Sequence, residues 1–276
     1  MTNLDAKVLS ERLEISMREA LLELRTLSIF AAGCTRIDLV RDPKLVSGPG
    51  VQMRYREALK KRLAGEPLAY ITGYSEFYGE NLAINSNVLC PRPDTELLVD
   101  CVISKVSGKP DPKILELGTG SGAISIALAK SVSSLKIVAT DISNEACNVA
   151  RNNIKTSRVS HRVSVIKSDW FSEIHSRFDV IVSNPPYVEE GDPHLKKPGV
   201  RFEPKLALVG GKDGLAEIRE IIGASIMHLY PDGWLCFEHG YDQGRQCRAL
   251  LKDRGFRSIF TERDLSGNER VSGGKI

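Results

Sequence analysis

From Leu4 to about residue 70, apolar residues return at helical spacing: Leu4, Val8, Leu9 and Leu13, then Ala20, Leu21, Leu24 and Leu27, then Met53, Ala58, Leu59 and Leu63. Apolar positions three and four apart line one face of a helix, so this stretch predicts a small all-helical domain. Breakers at Gly33, Pro43, Gly48, Pro49, Gly50 and Gly65-Glu66-Pro67 divide it into several short helices. Next, Glu76-Phe77-Tyr78-Gly79 and Leu82-Ala83-Ile84-Asn85 flank a Gly-Glu-Asn turn and read as a β-hairpin. After Pro91-Arg92-Pro93 short apolar runs alternate with longer helical segments, which predicts a parallel sheet with crossover helices.

Strands are placed at Lys113 to Leu117, Lys136 to Thr140, Val163 to Lys167, Phe178 to Ser183, Gly233 to Glu238, Phe256 to Glu262 and Arg270 to Lys275. The last two follow one another without a helix between them, which predicts an antiparallel pair at the sheet edge. The expected fold is α/β, a doubly wound, Rossmann-like seven-stranded sheet over residues 91–276. A hairpin linker at 75–90 joins it to the helical domain at 1–74.

The chain has 276 residues, 42% hydrophobic and 26% charged, which suits two globular domains, and it carries no fixed-period repeat. A net charge of +3, with twelve basic and eleven acidic residues in positions 1–90, gives no strong nucleic-acid footprint. The densest basic group, Arg54, Arg56, Lys60, Lys61 and Arg62, reads as a solvated helix face. Six cysteines without a C-x-x-C pair suggest neither zinc nor a disulfide framework, so reduced, mostly buried thiols are expected. No charged n-region precedes an apolar h-region, the stretch near Leu27 to Cys34 is too short to span a bilayer, and Asp5, Glu11 and Glu14 argue against a transit peptide. A cytoplasmic location is the expectation.

The first sheet strand runs into Glu116-Leu117-Gly118-Thr119-Gly120-Ser121-Gly122 and then a helix beginning near Ala123. Glycines let backbone approach a bound molecule, and the N–H groups opening the helix favour an anionic group. A structural turn and a dinucleotide site both compete for this pattern. The next strand ends at Asp141, about 20 residues on, where a carboxylate can accept both hydroxyls of a ribose. In a dinucleotide site the third glycine normally lies three residues after the second, whereas Gly120 is followed by Ser121 and Gly122, a spacing that favours S-adenosylmethionine over NAD. Glu116 would then lie near the methionine amino group. The third strand ends in Ser168-Asp169-Trp170, where Asp169 can accept from the adenine amino group and the Trp170 face can carry the ring.

The fourth strand ends in Asn184-Pro185-Pro186-Tyr187. Consecutive prolines fix the backbone and remove neighbouring N–H donors, so acceptors can be aimed at a flat NH2 group. The Asn184 side-chain oxygen and the Pro185 carbonyl can each take one hydrogen, and the Tyr187 ring can cover the planar group. A delocalised amide or aromatic amine is a weak nucleophile, so positioning it against a reactive sulfonium must supply most of the acceleration. No general base is required first. No G-x-S-x-G elbow or G-x-x-x-x-G-K-[ST] loop occurs, and the five histidines are scattered without metal-site spacing, so no metal is expected.

Several motifs stand together: PRPDTELLV (Pro91 to Val99), ELGTGSGAISIALA (Glu116 to Ala129), SDWF (Ser168 to Phe171), SNPPYV (Ser183 to Val188), DPHL (Asp192 to Leu195), VRFEP (Val200 to Pro204), EHG (Glu238 to Gly240) and NERV (Asn268 to Val271). With these the chain resembles the release factor glutamine methyltransferases, the HemK or PrmC family, along nearly its whole length. The run NPPY alone is shared with several nucleic-acid amino-methyltransferases; combined with PRPDTE and VRFEP it is much more specific. The resemblance implies a class I methyltransferase fold in which Gly118 to Gly122, Asp141, Trp170 and Asn184 contact S-adenosyl-L-methionine and Asn184 to Tyr187 hold the substrate glutamine. It implies as substrate the Gly-Gly-Gln (GGQ) loop of class I peptide chain release factors, recognised with help from the N-terminal helices. The expected partner is therefore a release factor, with no stable nucleic-acid or membrane partner, and the chain is expected to be a monomer.

Two other readings compete. A methyltransferase acting on an exocyclic amine of adenine or guanine would present the same flat NH2 after base flipping, but the near-neutral helical region lacks the basic stripe that phosphate binding needs. A regulatory protein that binds S-adenosylmethionine without catalysis would have no use for a complete NPPY run.

Overall fold

The computed structural model describes residues 3–276, which fall into two compact units. One runs to Gly73 and includes Lys196–Phe202; the other comprises Tyr74–Leu195 and Glu203–Ile276.

The first unit contains α1 (Asn3–Leu13), α2 (Met17–Ala32), α3 (Arg36–Arg41), α4 (Pro49–Leu63) and α5 (Leu68–Thr72). Its ends form where the sequence supplies caps. Ser16 and Glu19 make a reciprocal capping box at the start of α2, Thr35 and Asp38 another at α3, and Gly33 closes α2 in the left-handed conformation at φ 63°. Pro49 sits in the first turn of α4, where its missing N–H costs nothing. Leu9, Leu13, Ala20, Leu24, Leu27 and Ala58 form the core with Tyr55 and Ile71. Leu4, Val8, Leu21 and Met53 share the helical spacing but face outward, with Leu4 70% and Met53 60% exposed. A helix bundle this small cannot cover every apolar side of its members. Nor is the basic group on α4 wholly a solvated face. Arg62 is buried, and its guanidinium donates to both oxygens of Glu23 on α2, at 2.7 and 2.8 Å.

The second unit opens with the hairpin β1 (Tyr74–Phe77) and β2 (Glu80–Ala83). Its turn is Tyr78-Gly79, one residue earlier than the spacing predicts, so Glu80 and Asn81 belong to β2. Both turn residues have positive φ, 50° and 76°, as a two-residue turn matched to strand twist requires. Tyr78 is held there by its N–H, which donates to Glu96 Oε1 at 2.8 Å, and by its hydroxyl, which donates to Asp100 Oδ1 at 2.7 Å.

There follow α6 (Glu96–Val106), β3 (Lys113–Leu117), α7 (Ala123–Ser131), β4 (Lys136–Asp141), α8 (Asn144–Thr156), β5 (Val163–Lys167), β6 (Phe178–Ser183), α9 (Ala216–His228), β7 (Leu229–Glu238), α10 (Gly244–Asp253), β8 (Arg257–Arg263) and β9 (Glu269–Lys275). Seven of these strands form one sheet in the order β5-β4-β3-β6-β7-β9-β8. The first five are parallel and the last two pairings antiparallel, with β8 at the edge. β7 begins four residues before the predicted Gly233. The chain steps outward from β3 through β4 to β5, then returns to place β6 on the other side of β3. That reversal leaves a crevice above the carboxyl ends of β3 and β6, where ligands of open α/β sheets bind. Beneath it Leu115, Leu117, Ile181, Leu235 and Phe237 pack with Ile218, Ile221 and Ile222 of α9. Among the described residues no helix is long and apolar enough to cross a membrane, and all six cysteines are free thiols.

Candidate active site

A cavity of about 440 Å³ opens at the strand ends, lined by Glu116, Gly118, Thr119, Gly120, Ser121, Asp141, Asp169, Trp170, Asn184 and Pro186 among others. After β3 the backbone turns through Gly118 (φ 70°) and Gly120 (φ 53°), positions an L side chain rarely adopts. The turn is tied to β4 by Asp141, whose Oδ2 accepts from the Gly120 N–H and whose Oδ1 accepts from the Ser143 N–H, each at 2.9 Å. A carboxylate has about four acceptor sites, so two such bonds leave room for ligand hydroxyls. Burial raises the Asp141 carboxyl above its ordinary range, against the pull of those backbone bonds.

Glu116 is fully buried at the base of this turn. Its Oε2 accepts from Thr119 Oγ1 at 2.8 Å and from Ser125 Oγ, whereas its Oε1 has no partner. Burial pushes the carboxyl up to about 7 despite those hydroxyls. A buried acceptor left unmet on a cavity wall is costly, and a ligand ammonium would meet it. The residues thus fit a molecule carrying both a cation and a ribose.

Trp170 also lines the cavity, with φ 41°, a strained conformation for a bulky residue. Its carbonyl accepts from Ser168 Oγ and its indole N–H donates to Glu217 Oε2, both at 2.9 Å. A Cβ on Gly118 would sit 3.7 Å from the indole Cζ3, so the ring packs against the glycine turn and the two line one side of the cavity together. Asp169, Glu217 and Glu220 make the nearby wall acidic.

Three predicted site residues lie outside the lining. Gly122, at φ 82°, caps α7, and a Cβ there would come 3.4 Å from both Cα and Cβ of Ala150, so its lack of a side chain serves the approach to α8. Pro185 is buried behind Asn184 and Pro186. The Tyr187 ring packs against the sheet core, and its hydroxyl donates to Glu238 Oε1 at 3.0 Å. Burial and the Glu238 charge raise the phenol well above its ordinary range.

Sequence reasoning gave no role to the residues that hold this wall. Asn184 Nδ2 donates to Thr95 Oγ1 at 3.2 Å, and that hydroxyl donates to Glu238 Oε2 at 2.7 Å. Glu203 accepts from the Cys90 N–H at 3.1 Å and from Arg92 at 2.5 Å, while Arg270 reaches Asp264 at 3.2 Å and Asp94 at 3.5 Å. The runs PRPDTE, SNPPY, VRFEP, EHG and NERV are therefore joined in space. Their joint occurrence was the available signal, but Thr95 and Glu238 are 143 positions apart and no spacing rule links them.

Comparison with known proteins covers most of the chain. Residues 7–73 match the family described as PrmC N-terminal domain, and residues 93–197 match the methyltransferase small domain. The release factor glutamine methyltransferase of Bordetella pertussis is 41% identical over 92% of this chain and 94% of its own. That of Vibrio cholerae is 45% identical over 79% of this chain and 76% of its own. Among solved structures, a methyltransferase from Pyrococcus furiosus shares the fold with a TM-score of 0.54 at 20% identity, over 81% of this chain and 97% of that one.

Proposed function

The chain belongs to the release factor glutamine methyltransferase family, and from that premise we propose that it transfers a methyl group from S-adenosyl-L-methionine to the side-chain amide nitrogen of the GGQ glutamine in class I peptide chain release factors. The observation that carries this reading is that Asn184 and Pro186 share one cavity with Glu116, Gly118 and Asp141. An acceptor for a flat amide thus faces a cradle suited to a cationic nucleoside.

In this mechanism Glu116 Oε1 takes the ammonium of the cofactor, Asp141 its ribose hydroxyls, and Asp169 and Trp170 its adenine. When bound, S-adenosylmethionine supplies an electrophilic methyl group on a sulfonium. The Asn184 oxygen holds one hydrogen of the substrate amide and aims its nitrogen lone pair, which positions a weak nucleophile at low entropic cost. The substituted nitrogen is strongly acidic and sheds one proton to water or a nearby oxygen. The helices of residues 1–74 serve substrate recognition, because a single glutamine offers too little surface to distinguish one protein from another.

The deciding experiment offers labelled methyl donor with purified release factor, DNA and RNA side by side. Label is expected on the release factor, and mass spectrometry should place one added methyl on the GGQ glutamine. Label in nucleic acid, with an unmodified glutamine, would overturn the assignment.

The Glu116 role predicts a pH dependence of cofactor binding. Glu116 holds its proton below about 7, and pairing with an ammonium requires the ionised form, so binding releases that proton. Affinity should therefore rise from about pH 5 to about pH 7, by up to roughly tenfold per unit. Calorimetry of wild type and Glu116→Gln checks this: the variant should lose the steep rise toward pH 7, keeping at most the shallower dependence of Asp141 at lower pH, and an unchanged slope would remove Glu116 from the site.

A further inference from the structure

Glu238 ends β7 beneath the cavity without lining it, and both its oxygens are engaged by residues of other elements. We propose that Glu238 is a positioning residue for methyl transfer: through the Thr95 hydroxyl it fixes which end of the Asn184 amide faces the cavity. The inference rests on the reading of Asn184 as acceptor for the substrate amide.

The two ends of an asparagine amide are nearly the same size, so shape cannot choose between them and hydrogen bonding must. A threonine hydroxyl has a single proton. Opposite an ionised carboxylate, which only accepts, the Thr95 proton is committed to Glu238 Oε2, 2.7 Å away. What Thr95 can offer Asn184 is then a lone pair, which selects the Nδ2 end at 3.2 Å and leaves Oδ1 for the cavity. A protonated Glu238 can itself donate to Thr95, freeing the hydroxyl to donate to Asn184. The amide then turns over and presents NH2 to a substrate that also presents NH2, two donors face to face.

The surroundings hold this arrangement from several sides. Tyr187 donates to Glu238 Oε1 at 3.0 Å. The Arg270 guanidinium on β9 favours the ionised carboxylate, whereas Asp94, in the turn before α6, opposes it. The neighbouring His239 ring is turned away, with Nδ1 at 2.8 Å from the Gly240 carbonyl and Nε2 at 2.8 Å from Ser272 Oγ. Burial is the largest influence and lifts the Glu238 carboxyl above its ordinary range. Activity should accordingly fall as pH drops through that raised value.

The test compares full-length wild type with Glu238→Gln and Thr95→Val, reading three quantities. The first is S-adenosylmethionine affinity, which confirms a folded site. The second is the single-turnover rate on release factor against pH, at S-adenosylmethionine concentrations that saturate the site throughout the range. The third is the NMR position of the Asn184 side-chain NH2, assigned by its loss in Asn184→Asp. The proposal expects cofactor affinity to be retained in Glu238→Gln, with the rate lowered on the order of ten- to a hundredfold and the acid limb of the profile abolished. It also expects the Asn184 NH2 resonance to move in both variants. An unmoved resonance together with a rate within a few-fold of wild type and an unchanged pH profile would overturn it. Should Glu238→Gln not fold, the resonance in Thr95→Val decides by the same criterion. A wild-type protein that leaves release factor unmethylated would instead defeat the substrate assignment, and the resonance would still decide the coupling of Glu238 to Asn184.

Discussion

Replacing Asn184 with alanine is expected to lower single-turnover methylation of release factor on the order of 10²–10³-fold, with little change in cofactor affinity or stability. The asymmetry follows from where the side chain sits. Asn184 is half-buried at the mouth of β6, so truncation opens no sealed cavity in the core. Its Nδ2 partner, Thr95 Oγ1, keeps its stronger bond to Glu238. What disappears is an acceptor fixed in advance on one hydrogen of the reacting amide. An amide nitrogen whose lone pair is delocalised has little reactivity to spare, and loss of aim is felt directly in the rate. The measurement is rapid mixing of preformed enzyme–cofactor complex with release factor, beside thermal unfolding and calorimetry of the same variant. A rate within a few-fold of wild type would remove Asn184 from the reaction, whereas a parallel loss of stability would make it a structural residue.

The readable and unreadable parts of this molecule divide along one physical line. β3, β5 and β6 fall within the predicted limits because each is a short apolar run between turn residues, a signal carried by adjacent positions. That Gly118, Asp141, Trp170 and Asn184 share a cavity was legible because parallel strands deliver their carboxyl ends to one side of a sheet, so finding the strands also gathered these residues. The hairpin turn was misplaced by one residue because Tyr78 is held at positive φ by Glu96 and Asp100, from a helix that follows it in the chain. Thr95, Glu203, Glu217 and Glu238 escaped because each acts through a partner distant in sequence. The bond from the Tyr187 hydroxyl to the buried Glu238 carboxylate, 51 positions away, is likewise something periodicity could not reveal.

A second substitution with a large expected effect lies outside the cavity, at Gly210. The segment after β6 is held in place by chain that follows it. Val188 bridges Val209 in parallel, the Val188 N–H donates to the Leu208 carbonyl at 2.9 Å, and the Gly210 N–H donates to the Val188 carbonyl at 2.9 Å. From α10's start, Gln243 Nε2 donates to the Tyr187 carbonyl at 3.0 Å. This brings Gly210 so close to the Asn184-Pro185-Pro186-Tyr187 run that a Cβ would lie 2.6 Å from the Pro186 oxygen, 2.7 Å from the Gly214 oxygen and 2.9 Å from the Tyr187 Cα. All three are backbone atoms, so no flexible side chain can yield and the Pro186-Tyr187 backbone itself must move. Misplacing a reacting group by an ångström can cost on the order of 10²-fold in rate, and that is the loss expected for Gly210→Ala. Glu116 and Asp141 sit on β3 and β4, away from the collision, so cofactor affinity should change by no more than a few-fold. Single-turnover rates and calorimetry on one preparation separate these effects. A folded Gly210→Ala protein that methylates release factor at the wild-type rate would show that the run after β6 need not be held in this position for catalysis.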